Sequence, residues 1–281
     1  MKRIDLHRIL KERIGGWKGR LIPGALITLL ENLVHQDELN AVLEATDPST
    51  GSEFCRRTYD YFGLTLDVYG LDNLEAGKRY VFASNHPLGG LDGIGLIKVL
   101  GSLYGDGNIT FLVNDMLMNV EPLRDVFLPI NKYGRQGRQG AIAVNKAYAG
   151  DGQILIFPAG LVSRLQPDGT VADLAWQKSF IAKALESHRD IVPVYFQGLN
   201  RPRFYRLAKW RRKLGVRFNI EQIFLPAEVC ASKGKHFSVF FGKPIPYDTL
   251  RESNLTYPQL ADLVRKKVYD IPGSSSSESR N

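Results

Sequence analysis

The chain has 281 residues, 44% of them hydrophobic and 23% charged, an ordinary globular composition that can bury a core as one large domain or one and a half smaller ones. A formal net charge of +8 favours anionic partners, whether nucleic acid, acidic lipid head groups, an acidic carrier protein or a phosphorylated cofactor. Cys55 and Cys230 stand alone with no CxxC pair, which argues against a disulfide framework or a zinc site and for a reducing, intracellular compartment.

From Lys2 to Arg20 seven Lys or Arg stand against two acids, a basic opening whose charges leave no signal-peptide core. The longest nearly uncharged apolar run, Leu21 to Leu30, is about half what a bilayer-spanning helix needs. Pro23 suits a helix start, and Leu26, Ile27, Leu29, Leu30, Leu33, Val34, Leu39, Val42 and Leu43 recur at helical spacing up to Asp47. Two readings of that apolar face stay open: it lies on an anionic membrane surface, or it packs on the main domain as a helical cap. The tract Asp47 to Ser52 reads as a linker. The expected organisation is a basic, amphipathic helical segment over 1–55, a main domain over 56–271 and a Ser-rich disordered tail over 272–281.

Leu64 to Tyr69 alternates as a strand, and the apolar run Tyr80 to Ala83 reads as another. A sharp loop follows, Ser84-Asn85-His86-Pro87-Leu88-Gly89-Gly90-Leu91-Asp92-Gly93, and then a helical run to Leu103. An imidazole and a carboxylate on either side of two glycines can meet across such a loop, the carboxylate holding the ring while the other ring nitrogen faces a substrate. Taken alone, the same residues are equally a satisfied pair at a tight turn, with Asp92 as a helix cap.

Beyond the loop, strands are expected at Ile109 to Val113, Val126 to Ile130, Gln153 to Phe157, Ile191 to Phe196 and Phe237 to Phe241. Helices are expected at Arg138 to Ala149, Asp173 to Ser187, Pro202 to Leu214 and Tyr257 to Tyr269. This alternation predicts an α/β fold, a single sheet with helices on its faces and active-site loops at strand ends. Between Arg201 and Arg217 lie eight basic residues and no acid, interleaved with Phe204, Tyr205 and Trp210. The pattern suits single-stranded nucleic acid, a membrane interface, or a solvated helix face whose aromatic residues belong to the core.

Four blocks occur in order: Asn85-His86 with Asp92; Phe127-Leu128-Pro129-Ile130-Asn131-Lys132; Phe157-Pro158-Ala159-Gly160-Leu161-Val162-Ser163-Arg164; and Ile191-Val192-Pro193-Val194. Their order and spacing resemble the glycerolipid acyltransferases, the family of the lysophosphatidic acid acyltransferases, and most closely its bacterial hemolysin-like branch with the enzymes of amino-acid-containing lipids. The branch similarity also covers His35-Gln36-Asp37-Glu38-Leu39-Asn40 and Gly242-Lys243-Pro244-Ile245-Pro246. The resemblance implies an acyltransferase-like fold and an O-acyltransferase acting at the cytoplasmic face of the inner membrane as a peripheral protein. It makes His86 the general base and Asp92 its orienter, with no covalent acyl-enzyme, no metal and no bound cofactor. Acyl-CoA or acyl-carrier protein is the implied donor and a lyso-lipid the acceptor, at an anionic membrane surface. Substrate-binding roles fall on Asn85, Gly89, Gly90, Lys132, Arg135, Gly160, Ser163 and Arg164, with backbone N–H groups around Gly89 and Gly90 as candidates for the oxyanion and Arg164 for an acidic head group.

Three departures bear on the acceptor. Five residues separate His86 from Asp92 where the family usually has four; Lys132 stands where Arg is usual; and Ala159 stands where Glu is usual. A lysine neutralises a phosphate but lacks the bidentate fork. Ala159 removes an acid that helps hold the family's common acceptors, which points to a different head group, such as an N-(3-hydroxyacyl) amino acid acylated on its hydroxyl. The altered blocks also leave room for a catalytically degenerate lipid-binding protein of the same fold. Nucleic acid is not expected as a partner, since no recognised module is visible. The five His residues show no metal-ligand pairing at helical spacing.

Overall fold

The structure, a computed structural model, describes residues 4–5, 7, 24–130, 137–215 and 219–275. Two helices, α1 (Gly24–Leu33) and α2 (Gln36–Thr46), take the place of the single helix expected up to Asp47. The break is at His35, whose backbone is left-handed at φ 54° and ψ 46°. That corner lets Ile27 and Val34 be buried along with Val42 and Leu43, while Leu29 stays 60% exposed. Most of the basic opening lies outside the described residues, and no described helix is long and apolar enough to cross a membrane.

The tract read as a linker ends early, because α3 (Gly51–Tyr61) begins inside it. The carboxylate of Asp106 accepts the Ser52 N–H at 3.0 Å, a cap supplied from 54 residues away that satisfies an orphan donor of the helix start. Phe54, Cys55 and Tyr59 of α3 enter the main core, so the boundary expected at 55 falls within a helix of that core.

The remaining elements alternate much as expected: β1 (Thr65–Tyr69), β2 (Tyr80–Ser84), α4 (Leu91–Tyr104), β3 (Ile109–Asn114), β4 (Phe127–Ile130), α5 (Arg138–Ala149) and β5 (Gln153–Ile156). A short hairpin, β6 (Arg164–Leu165) with β7 (Val171–Ala172), precedes α6 (Ser179–Glu186), β8 (Asp190–Gln197) and α7 (Pro202–Lys213). The chain continues through α8 (Leu225–Cys230), β9 (His236–Phe241) and α9 (Tyr247–Glu252) to α10 (Tyr257–Ser275). The helix expected from Asp173 starts only at Ser179, and α10 runs four residues into the segment read as a disordered tail from 272, leaving 276–281 outside the described residues.

Seven strands form one sheet in the order β1-β9-β8-β2-β5-β3-β4, with every neighbouring pair parallel except β8 and β9. All five residues of β2 are buried, as a central strand covered on both faces requires. Its side chains alternate: Tyr80 and Phe82 join a cluster with α2, α3 and α4, while Val81 and Ala83 join one with α5, α6, α9 and α10. The result is a sheet between two helical layers, the α/β class expected.

Candidate active site

The strands β8, β2 and β5 are parallel neighbours at the middle of the sheet, so the chain leaves all three at one edge. Asn85, directly after β2, is tied to β8: its Nδ2 donates to Phe196 O at 3.0 Å and its Oδ1 accepts the Phe196 N–H at 2.7 Å. A side chain given a substrate-binding role from the sequence is thus a buried strand-to-strand link.

His86 comes next, held by main chain and ring together. Its N–H donates to Asp173 Oδ1 at 3.2 Å, and its carbonyl accepts the Ser163 N–H at 2.8 Å. The ring stacks on Phe157, centroids 3.9 Å apart and planes within 17°. Its Nδ1 lies 2.9 Å from Asp92 Oδ2, so the five intervening residues do not separate the pair. The His86 side chain keeps 17% of its surface exposed while Asp92 keeps none.

Asp92 occupies the first turn of α4, where a carboxylate is favoured by the helix dipole. Its Oδ2 also accepts the N–H groups of Leu88 at 2.8 Å and Gly89 at 3.2 Å, and Oδ1 accepts that of Gly93 at 2.9 Å. Burial pushes this carboxyl up, but the adjacent His86 and the backbone donors outweigh it and hold the acid below its ordinary value. It is therefore both helix cap and ring orienter. The Gly89 N–H is aimed at Asp92, not at an oxyanion, a correction to the role expected for that amide. Gly89 itself takes φ +80°, and a Cβ there would sit 2.6 Å from Leu225 Cδ2 and 2.7 Å from Val162 Cγ2, which only glycine avoids. Gly90 is the residue directly before α4.

The third block is placed differently from expectation. Gly160, at φ +62°, closes a tight turn by donating its N–H to Phe157 O at 2.9 Å. Ser163 is buried, its hydroxyl donating to Asp173 Oδ1 at 2.6 Å. Arg164 is 2% exposed and meets Glu221 at 2.8 Å, with a second bond to Val162 O at 2.6 Å. Its guanidinium is a buried structural cation, which replaces the expected head-group contact. Ala159 packs among Ile156, Trp176 and Phe180, an apolar setting for the position where the family usually has an acid. Lys132 and Arg135 lie outside the described residues.

Asp173 is the residue that sequence reasoning missed. Only 1% exposed, it collects the Ser163 hydroxyl, the Trp176 indole N–H at 3.0 Å and the His86 N–H. Burial pushes its carboxyl above the ordinary value against the pull of those donors. Its own N–H donates to Tyr269 Oη at 2.8 Å and its carbonyl accepts from Arg265 Nη2 at 2.7 Å, both on α10. The available signal was a lone acid set among Val171, Ala172, Leu174, Ala175 and Trp176, where an unpartnered carboxylate would be costly.

The turn joins one imidazole to one carboxylate, an arrangement that can serve as a base with its orienter. Among the described residues, His35, Glu38 and Cys230 bring ligand-type atoms within 4.8 Å of one another, at the α1–α2 corner and α8, away from the His86–Asp92 turn.

Known proteins resemble this chain along most of its length. The lyso-glycine lipid O-acyltransferases of Phocaeicola vulgatus and Bacteroides thetaiotaomicron are each 40% identical over 268 residues, which is 95% of this chain and 95% and 97% of theirs. The crystal structure of the 1-acyl-sn-glycerophosphate acyltransferase of Thermotoga maritima superposes with a TM-score of 0.48 at 16% identity, over 82% of this chain and 79% of that one. An acyltransferase family model matches residues 8–277, and with relatives this similar along almost the whole chain, the protein belongs to that acyltransferase family.

Proposed function

We propose that this acyltransferase moves a fatty acyl group from a thioester, acyl-CoA or acyl-carrier protein, onto the hydroxyl of a lyso-lipid with an amino-acid head, a glycine N-acylated by a 3-hydroxy fatty acid. The observation that carries it is the 2.9 Å contact between His86 Nδ1 and Asp92 Oδ2. The names of the two bacterial relatives support glycine as the head group. Ala159, in place of the acid usual for glycerol-based acceptors, agrees with a changed acceptor.

With Asp92 ionised, Nδ1 carries the ring proton and Nε2 is the base. Nε2 takes the acceptor's hydroxyl proton as the oxygen attacks the thioester carbonyl. Asp92 stabilises the imidazolium, which returns the proton to the departing thiolate as the tetrahedral intermediate collapses to the ester. A thioester is already activated, so one oriented base suffices and no acyl-enzyme is required. The non-catalytic alternative rested partly on the extra residue in the first block, and the pair closes at hydrogen-bond distance in spite of it. Because the acceptor is a lipid, the reaction takes place at an anionic membrane surface, on the cytoplasmic face, with the enzyme bound peripherally.

The test is acyl transfer by purified protein from each donor to N-(3-hydroxyacyl)glycine and to lysophosphatidic acid, comparing wild type with His86→Ala. Activity on the glycine lipid that disappears in the variant is expected. Equal activity in the variant would overturn the mechanism, and exclusive use of lysophosphatidic acid would overturn the acceptor.

A further inference from the structure

The helix α7 starts at the catalytic edge. Asn200 donates from Nδ2 to Pro87 O at 3.2 Å, and Arg201 and Arg203 both reach Glu228 at 3.1 Å. The inner face of α7 buries Phe204, Tyr205 and Ala208. An ordinary amphipathic helix would cover its outer face with polar side chains alone. Here that face carries Trp210, 65% exposed, and one turn on Leu214, 70% exposed. Arg206 lies one turn before Trp210, completing a stripe at helical spacing, and Lys209 and Lys213 are exposed beside it.

The acids near this helix are already engaged, Glu228 by Arg201 and Arg203 and Glu221 by Arg164 and Arg211. Among the described residues no acidic side chain is paired with Arg206, Lys209 or Lys213. An indole and a leucine held in water within a field of positive charge match the interface of an anionic bilayer, where the ring sits at head-group level and the cations meet lipid phosphates. Single-stranded nucleic acid fits less well. It would need a series of aromatic faces, whereas Trp210 is the one exposed aromatic side chain of α7 and Leu214 offers nothing to stack on.

We infer that the outer face of α7 seats the enzyme on an anionic bilayer, Trp210 and Leu214 entering the interface and Arg206, Lys209 and Lys213 contacting lipid phosphates. This rests on the lipid acceptor proposed above. A helix rises about 1.5 Å per residue, which puts Trp210 on the order of 14 Å along the axis from Arg201, so a lipid held at the interface stays within reach of the catalytic turn.

The experiment is co-sedimentation with vesicles of phosphatidylcholine, alone or mixed with phosphatidylglycerol, with tryptophan fluorescence read in parallel. The proteins are wild type, Trp210→Ala/Leu214→Ala and Arg206→Glu/Lys209→Glu/Lys213→Glu, with circular-dichroism melting as the folding control. Wild type should bind the mixed vesicles with a blue shift that the first variant lacks. Removing the apolar pair should weaken binding roughly tenfold. Each basic residue near an anionic surface is worth about fivefold, so the charge variant should weaken it on the order of a hundredfold or more. Acylation of a short-chain, water-soluble acceptor should be unchanged in both variants, while acylation of vesicle-held acceptor falls. Equal vesicle binding by folded wild type and variants, or tighter binding of single-stranded RNA than of vesicles, would overturn the inference. Absence of acylation by wild type on either acceptor would instead remove the proposed function while leaving the vesicle result readable.

Discussion

The loops that follow β2 and β5 emerge side by side at the same edge of the sheet, yet their side chains face opposite ways. In the first, His86 keeps its ring partly open to solvent, and Asp92 exists to hold it. In the second, the residues turn inward: Phe157 lies flat on the imidazole, Ser163 reaches Asp173, and Arg164 is sunk against Glu221. On the proposed mechanism, one loop carries the chemistry and the other fixes its geometry. A residue can therefore belong to a catalytic block without meeting a substrate, its contribution passing through the main chain of the residue that does.

The largest effect should come from the loop that carries the chemistry. Asp92→Asn keeps the shape but loses the anion that sets the ring tautomer, and kcat/KM should fall by roughly three to four powers of ten. A loss below tenfold would show that the ring is oriented by Phe157 and the main chain alone. Behind the inward loop, Glu221→Ala leaves Arg164 and Arg211 without their shared carboxylate and should cost about 3–5 kcal/mol in denaturant unfolding, with acceptor KM unchanged. A tenfold rise in KM at unchanged stability would restore a head-group role to Arg164.

Asp173→Ala strips an acceptor from three buried donors, and kcat should drop on the order of ten- to a hundredfold at constant KM. Recovery in Asp173→Asn, which keeps the oxygen facing His86 and Ser163, would mark the effect as positional. Ser163→Ala removes one hydrogen bond and should cost about 1 kcal/mol, seen as a severalfold loss in kcat.

The two carboxylates also predict opposite pH behaviour. Asp92 titrates below the ordinary aspartate value of 3.8, so its stabilisation is complete above 3.8 and is lost as pH falls through its folded value. Asp173 titrates above 3.8: the folded protein still holds that proton where the unfolded chain has released it. Its contribution is thus most favourable below 3.8 and declines as pH rises through the folded value. In denaturant titrations, the deficit of Asp92→Asn relative to wild type should widen from acid towards neutral pH, and that of Asp173→Asn should narrow.

What the sequence revealed was set by range. The strand at Tyr80 to Ala83 was legible because an unbroken apolar run must be covered on both faces, and the helix Arg138 to Ala149 has the bounds its own residues imply. The pairing of His86 with Asp92 was legible for the same reason, since both partners lie within one turn and its helix. The rest depended on distant partners. The start of α3 is fixed by a cap 54 residues away, Arg164 by an acid 57 residues away, and the His86 N–H by an acceptor 87 residues away. No local pattern announces such partners, so α3 was read in part as a linker and Arg164 as a substrate contact.

The bonds from α10 to Asp173 have a consequence for the order in which the enzyme is made. Arg265 and Tyr269 leave the ribosome more than a hundred residues after His86, yet they hold the main chain of the residue that holds His86. A nascent chain can complete its central strands and still lack a fixed base. On the proposed mechanism, catalytic competence then arrives only once α10 has been made and docked.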